Sequence, residues 1–203
     1  MSANALLDCI ISDCMETFQY IPMALITAIS VYVLLIIFRL LFLHDSFRDC
    51  FRIRDILLTL LTFVLMMIIQ IALLSREEGS RTDVSLIIGG TWTEDPQGRA
   101  YVIENVLLFI PFGIIVWALL YNCRIYGGKS LLKISIVNII LTMLTGAITS
   151  LCIELIQRFT ERGYFQVDDI IANSFGSLVG GFLIGIIWML VLFIVARFRD
   201  SDH

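Results

Sequence analysis

Eight side chains in the second half of the chain have the types and spacing for polar chemistry: Glu104, Asn105, Glu154, Gln157, Arg162, Asp168, Asp169 and Asn173. Carboxylates and amides together suit the hydroxyls of a sugar or an ammonium group, and arginines beside them suit phosphate. Clustered carboxylates could also work as general acid and base or hold a divalent metal, with Glu154, Asp168 and Asp169 as the catalytic candidates. The chain has no HExxH, G-x-S-x-G or P-loop. Its two histidines, His44 and His203, fall on the opposite side of the membrane in the topology argued below, so a Ser–His–Asp arrangement is not available to the cluster. No cofactor is expected; a divalent metal enters only under an enzymatic reading. The five cysteines form no C-x-x-C pair, and Cys9 and Cys14 read as inert thiols that could pair only on an oxidising side.

The elements that must position these residues are membrane spans. Of 203 residues, 59% are hydrophobic and 16% charged, against roughly 45–50% and about 25% in a soluble domain. The apolar surplus lies in five runs flanked by charges, at 21–43, 56–74, 102–121, 134–156 and 170–196. Each is about the length needed to cross a bilayer. The expected fold is therefore all-α, a polytopic membrane helical bundle of about five spans, with residues 1–203 forming a single membrane domain. The net charge of −4 excludes a nucleic-acid binder. Asp8, Asp13 and Glu16 precede the first run with no Lys or Arg, which reads as a retained span rather than a signal peptide.

Orientation follows from basic residues near the span ends. One side carries nine, namely Arg39, Arg48, Arg52, Arg54, Arg124, Lys129, Lys133, Arg197 and Arg199. The other carries five: Arg76, Arg81, Arg99, Arg158 and Arg162. The N-terminus is then outside and the C-terminus cytoplasmic, with Arg39 snorkelling from its last turn.

With that topology the polar residues converge on the outer face. Glu104 and Asn105 open the third span, Glu154 and Gln157 close the fourth, and Asp168, Asp169 and Asn173 open the fifth. Ala147, Ser150, Glu154 and Gln157 share one helix face, and Asp169, Asn173, Ser177, Gly181 and Gly185 share another. Acids at helix N-termini also have a plain capping role, which accounts less well for Glu154 at a helix C-terminus. Arg158 and Arg162 could neutralise Glu154 and an Asp. Gly176 and Gly180, and Gly181 and Gly185, have the spacing that lets another helix backbone approach. Pro111 predicts a kink or local unwinding of the third span.

Three stretches carry a family resemblance: ENVLLFIPFG at 104–113, IELIQ at 153–157 and RGYFQVDDIIANSFG at 162–176. In this order and spacing they resemble the VanZ-like family of bacterial membrane proteins, over a core of residues 101–185. The family's characteristic residues fall on Glu104, Asn105, Pro111, Gly113, Glu154, Gln157, Arg162, Phe165, Asp168, Asp169, Asn173 and Gly176. The loop at 76–100 departs from the family pattern. The resemblance implies a multi-pass protein of the bacterial cytoplasmic membrane, in a family whose founding member is associated with low-level teicoplanin resistance.

Two functions compete at the outer cluster. The first is binding or alteration of an envelope or lipid component, with membrane lipids or a lipid-linked envelope precursor as partner. The second is an intramembrane acid- or metal-dependent enzyme acting on a lipid-linked substrate; the binding reading is preferred. A transporter fits least, since no internal repeat and no mid-span charge is present. The small-residue faces also leave a homo-oligomer open.

Overall fold

The computed structural model describes residues 3–43, 52–76, 79, 84–92, 95–123 and 131–201. His44, Arg48, Cys50, Arg81, Arg124, Lys129 and His203 lie outside the described residues. The protein is a membrane-type helical bundle. Helix α1 (Ala3–Thr17) runs through a 3-10 turn (Phe18–Tyr20) into α2 (Ile21–Phe38), which closes in a π-helical turn (Arg39–Leu43). Then come α3 (Ile53–Ile69) with its own π-helical turn (Gln70–Leu74), α4 (Pro96–Cys123), α5 (Leu131–Phe159) and α6 (Val167–Ser201). Five of the resulting helices are long and apolar enough to cross a membrane, the first being the 40-residue Asn4–Leu43. The described strands are two residues each: β1 (Val84–Ser85) pairs in parallel with β2 (Phe165–Gln166).

Each helix outruns its apolar run, because the polar residues at its ends continue the helix. The largest difference is α1, where the sequence reading placed only a flanking segment. Residues Leu6, Ile10, Asp13 and Thr17 recur every three or four positions as its half-buried face, and α1 packs on α4. Leu7, Ile11, Met15 and Phe18 form the exposed apolar face.

Two hydrogen-bonding or charge ties fix α2 and α3 as an antiparallel pair. At one end Gln70 Nε2 donates to the Tyr20 carbonyl at 3.2 Å. At the other, Arg39 Nη1 lies 3.0 Å from Asp55 Oδ2, both side chains almost fully buried. The expectation that Arg39 snorkels to the interface is thus corrected. Asp55, in the first turn of α3, offers a buried partner within the bundle.

Helices α4 and α6 run parallel and touch through bare backbone. A Cβ on Gly176 would collide with the Val106 carbonyl, one on Gly180 with the Ile110 carbonyl, and one on Gly113 with the Ser177 backbone. Against α5 the direction is reversed: Gly181 meets Thr142 and Gly185 meets Ser135. These small-residue faces are filled within the chain, so a homo-oligomer would need another surface. The clamp also explains Pro111. Helix α4 continues through it without unwinding, so of the kink or unwinding expected there the unwinding does not occur, and α6 holds the α4 backbone at Val106, Ile110 and Gly113 around the lost hydrogen bond. Phe109, Phe112 and Val116 of α4 join Val64, Ile68 and Ile153 in the apolar core. Beside that core, α5 buries one polar stripe along its length: Ser135, Asn138, Thr142, Ser150, Glu154 and Gln157.

Candidate functional site

The cluster is built where α5 turns into α6. Helix α5 ends at Phe159, Glu161 takes the left-handed conformation (φ 54°) that closes the turn, and β2 follows. Glu154, 2% exposed, reaches across this turn, and its Oε2 accepts the Gln166 N–H at 2.7 Å. That bond gives a carboxylate at a helix C-terminus a local reason to be there. Gln157, equally buried, donates from Nε2 to the Ala72 carbonyl at 2.9 Å, tying the turn to the end of α3. Asn173 Nδ2 donates to Ser150 Oγ at 2.8 Å across the α5–α6 interface. Asn105, on α4, hydrogen-bonds Asp169 through its side chain. Five of the eight sequence candidates, from three helices, therefore meet: Asn105, Glu154, Gln157, Asp169 and Asn173.

The cation among them is Arg76, which interacts electrostatically with both Glu154 and Asp169. Its guanidinium also sits against Gly163, where a Cβ would approach Nη1 to 2.7 Å. Arg76 is a cation beyond Arg158 and Arg162, the two expected in this part. Arg158 is exposed, and Arg162 Nη1 donates to the Arg76 carbonyl at 3.3 Å, holding the chain that presents Arg76. Arg76 escaped the sequence reading because it stands just past the second run, and only the tie from Gln157 to Ala72 brings that end of α3 to the cluster.

Asp168 and Glu104 face away from this centre. The two carboxylate oxygens of Asp168 accept the Gly89 and Thr91 N–H groups at 2.7 and 2.8 Å. The loop so held presents Leu86, Ile87 and Ile88 in exposed positions. Asp168 is thus a loop anchor. Asp168→Asn sets an amide N–H against a backbone N–H and should cost about 1.5–3 kcal/mol locally. Chymotrypsin cleavage after Leu86 or Trp92 in detergent should then accelerate, with the helices still intact; an unchanged cleavage rate would refute the anchor.

Glu104 turns toward α1, where its side chain interacts with Asp13. Asp13 Oδ2 in turn accepts from Gln97 Nε2 at 2.8 Å. Between α1, the end of α3 and α4 lies a cavity of about 560 Å³, lined by Asp13, Glu16, Tyr20, Tyr101, Glu104 and Asn105 among others. Asn105 belongs to both cavity and cluster. Asp13 and the cavity escaped the sequence reading together with α1.

Chemically, this end of the bundle offers acceptors. Gln157 Oε1, Asn173 Oδ1 and Glu104 Oε1 are buried without a hydrogen-bond partner among the described residues, a costly state that a bound donor relieves. Among the described residues no three His, Cys, Asp or Glu side chains are grouped closely enough to hold a metal ion. Cys9 and Cys14 are free thiols.

A family model described as VanZ/LLP1 matches residues 29–191. The match begins in the first span, well before the motif-bearing core at 101–185. No curated protein and no solved structure matches the chain.

Proposed function

Because the chain belongs to the VanZ/LLP1 family of membrane proteins, we propose that it lowers sensitivity to teicoplanin-type glycopeptides by binding or altering a lipid or lipid-linked envelope component. In this reading it sits in the bacterial cytoplasmic membrane with the α5–α6 turn on the outer side. The observation that carries the proposal is the convergence of Asn105, Glu154, Gln157, Asp169 and Asn173 around Arg76, with Gln157 Oε1 and Asn173 Oδ1 buried and without a partner among the described residues. Such a set recognises a donor-rich headgroup by hydrogen bonds rather than by shape alone.

The test is teicoplanin susceptibility of a sensitive host expressing wild type, Glu154→Gln or Asp169→Asn at matched membrane abundance. Wild type should protect and both variants should lose most of that protection. Protection retained by both at equal abundance would reduce the cluster to turn architecture.

An acid–base enzyme on the same substrate class remains the competing reading, favoured by the electrostatic contact between Glu154 and Asp169. It requires product. Lipid recovered chemically unchanged after prolonged incubation with the pure protein supports binding, whereas cleaved lipid that Asp169→Asn no longer yields supports the enzyme.

A further inference from the structure

We propose that the groove between α1 and α4 seats the primary ammonium headgroup of an amine-bearing membrane lipid. This rests on reading the α5–α6 end of the bundle as a headgroup-binding site, and it names the headgroup.

Charge complementarity selects the occupant. Among the described residues, the carboxyls lining the groove are Asp13, Glu16 and Glu104, and the lining contains no Lys or Arg. An anionic headgroup would face three carboxylates without a counter-charge. Asp13 and Glu104 line the same cavity and interact with each other. Two neighbouring carboxyls are held together by a shared proton or by a cation between them. Glu104 Oε1 is buried with no hydrogen-bond partner among the described residues, so one acceptor there awaits an N–H donor. A primary ammonium carries three donors and can engage both carboxyls at once; a quaternary ammonium has the charge and no N–H to give.

The remainder of the lining suits an amphiphile. Tyr20 and Tyr101 flank the acids and offer aromatic rings to a cation. Leu107, Leu108, Pro111 and Ile71 continue the groove, and Leu107 is exposed on the apolar surface of α4. The acids thus take the headgroup while the apolar strip takes the first carbons of the chains. A cavity of about 560 Å³ falls within the roughly 300–1,000 Å³ of small-ligand sites.

The full chain in detergent, given equimolar phosphatidylethanolamine, phosphatidylcholine and phosphatidylglycerol with identical acyl chains, reports the choice as bound adducts in native mass spectrometry. The ethanolamine lipid should exceed each of the others about five- to tenfold, a range set by one favourable desolvated charge contact. Asp13→Asn with Glu104→Gln should bring the three to parity. Glu16→Gln, at an exposed position of α1, should reduce the preference while leaving a monodisperse protein. No preference in wild type, or a preference unchanged in both variants, overturns the proposal. The same proteins in the teicoplanin assay separate the two readings. Lipid preference without protection leaves the groove standing and removes the resistance role; protection without lipid preference does the reverse.

Discussion

Arg39→Met should destabilise the protein by about 3–5 kcal/mol, the cost of leaving a buried carboxylate without its cation. The Arg39–Asp55 pair sits at 3.0 Å with side chains 6% and 4% exposed, too deep for water to replace the lost partner. Asp55→Leu takes the carboxylate away from the buried guanidinium instead and should also destabilise the protein. The double variant Arg39→Met with Asp55→Leu should recover most of the loss, since two apolar side chains remove the desolvation cost of both charges. Denaturant titration in mixed micelles measures all three. Equal damage from the double variant and the singles would mean that Arg39 and Asp55 act through other contacts than their pairing.

Gly180→Ala should cost about 1–3 kcal/mol or more, the range for forcing added volume into a filled contact. Its Cβ would meet the Ile110 carbonyl, which is backbone and moves only if α4 and α6 part. Gly176→Ala, against the Val106 carbonyl, should behave alike. Gly185→Ala tests the argument from the other side. Its nearest neighbour is the Ser135 hydroxyl at 2.9 Å, which can rotate away, so the loss should be well below that of Gly180→Ala. A ranking with Gly185→Ala worst would show that the α4–α6 clamp is not where the bundle is tightest.

How much of this was legible in the sequence depends on whether a residue's partner is close along the chain. The spans were readable because an apolar run of bilayer length has few other uses. The α6 glycines were readable as a packing face because their spacing is local, although which helix fills that face is not. Glu154, Gln157, Asp169 and Asn173 were readable as neighbours because a short turn joins their helices. Arg76 was not, since its route to the cluster passes through a contact 85 residues long in sequence, between Gln157 and Ala72. Asp168 carries the same motif as Asp169 yet serves the loop at Gly89 and Thr91, a partner 79 residues away. Helix α1 was missed for another reason: with acids among its apolar residues it lacks a span's composition, and only its helical periodicity and the face of α4 explain it. The family match likewise extends back to residue 29, ahead of the three motif-bearing stretches.

The polar stripe of α5 bears on how the chain enters the membrane. This is the least apolar of the five spans, and Ser150 accepts a hydrogen bond from Asn173 of α6. The room beside Thr142 comes from the bare backbone of Gly181. A lone α5 released into lipid would expose that stripe to hydrocarbon, where unpaired hydroxyls and a carboxylate are disfavoured. Insertion of α5 is therefore expected to be completed only by synthesis of α6, the two spans entering the bilayer as one helical hairpin.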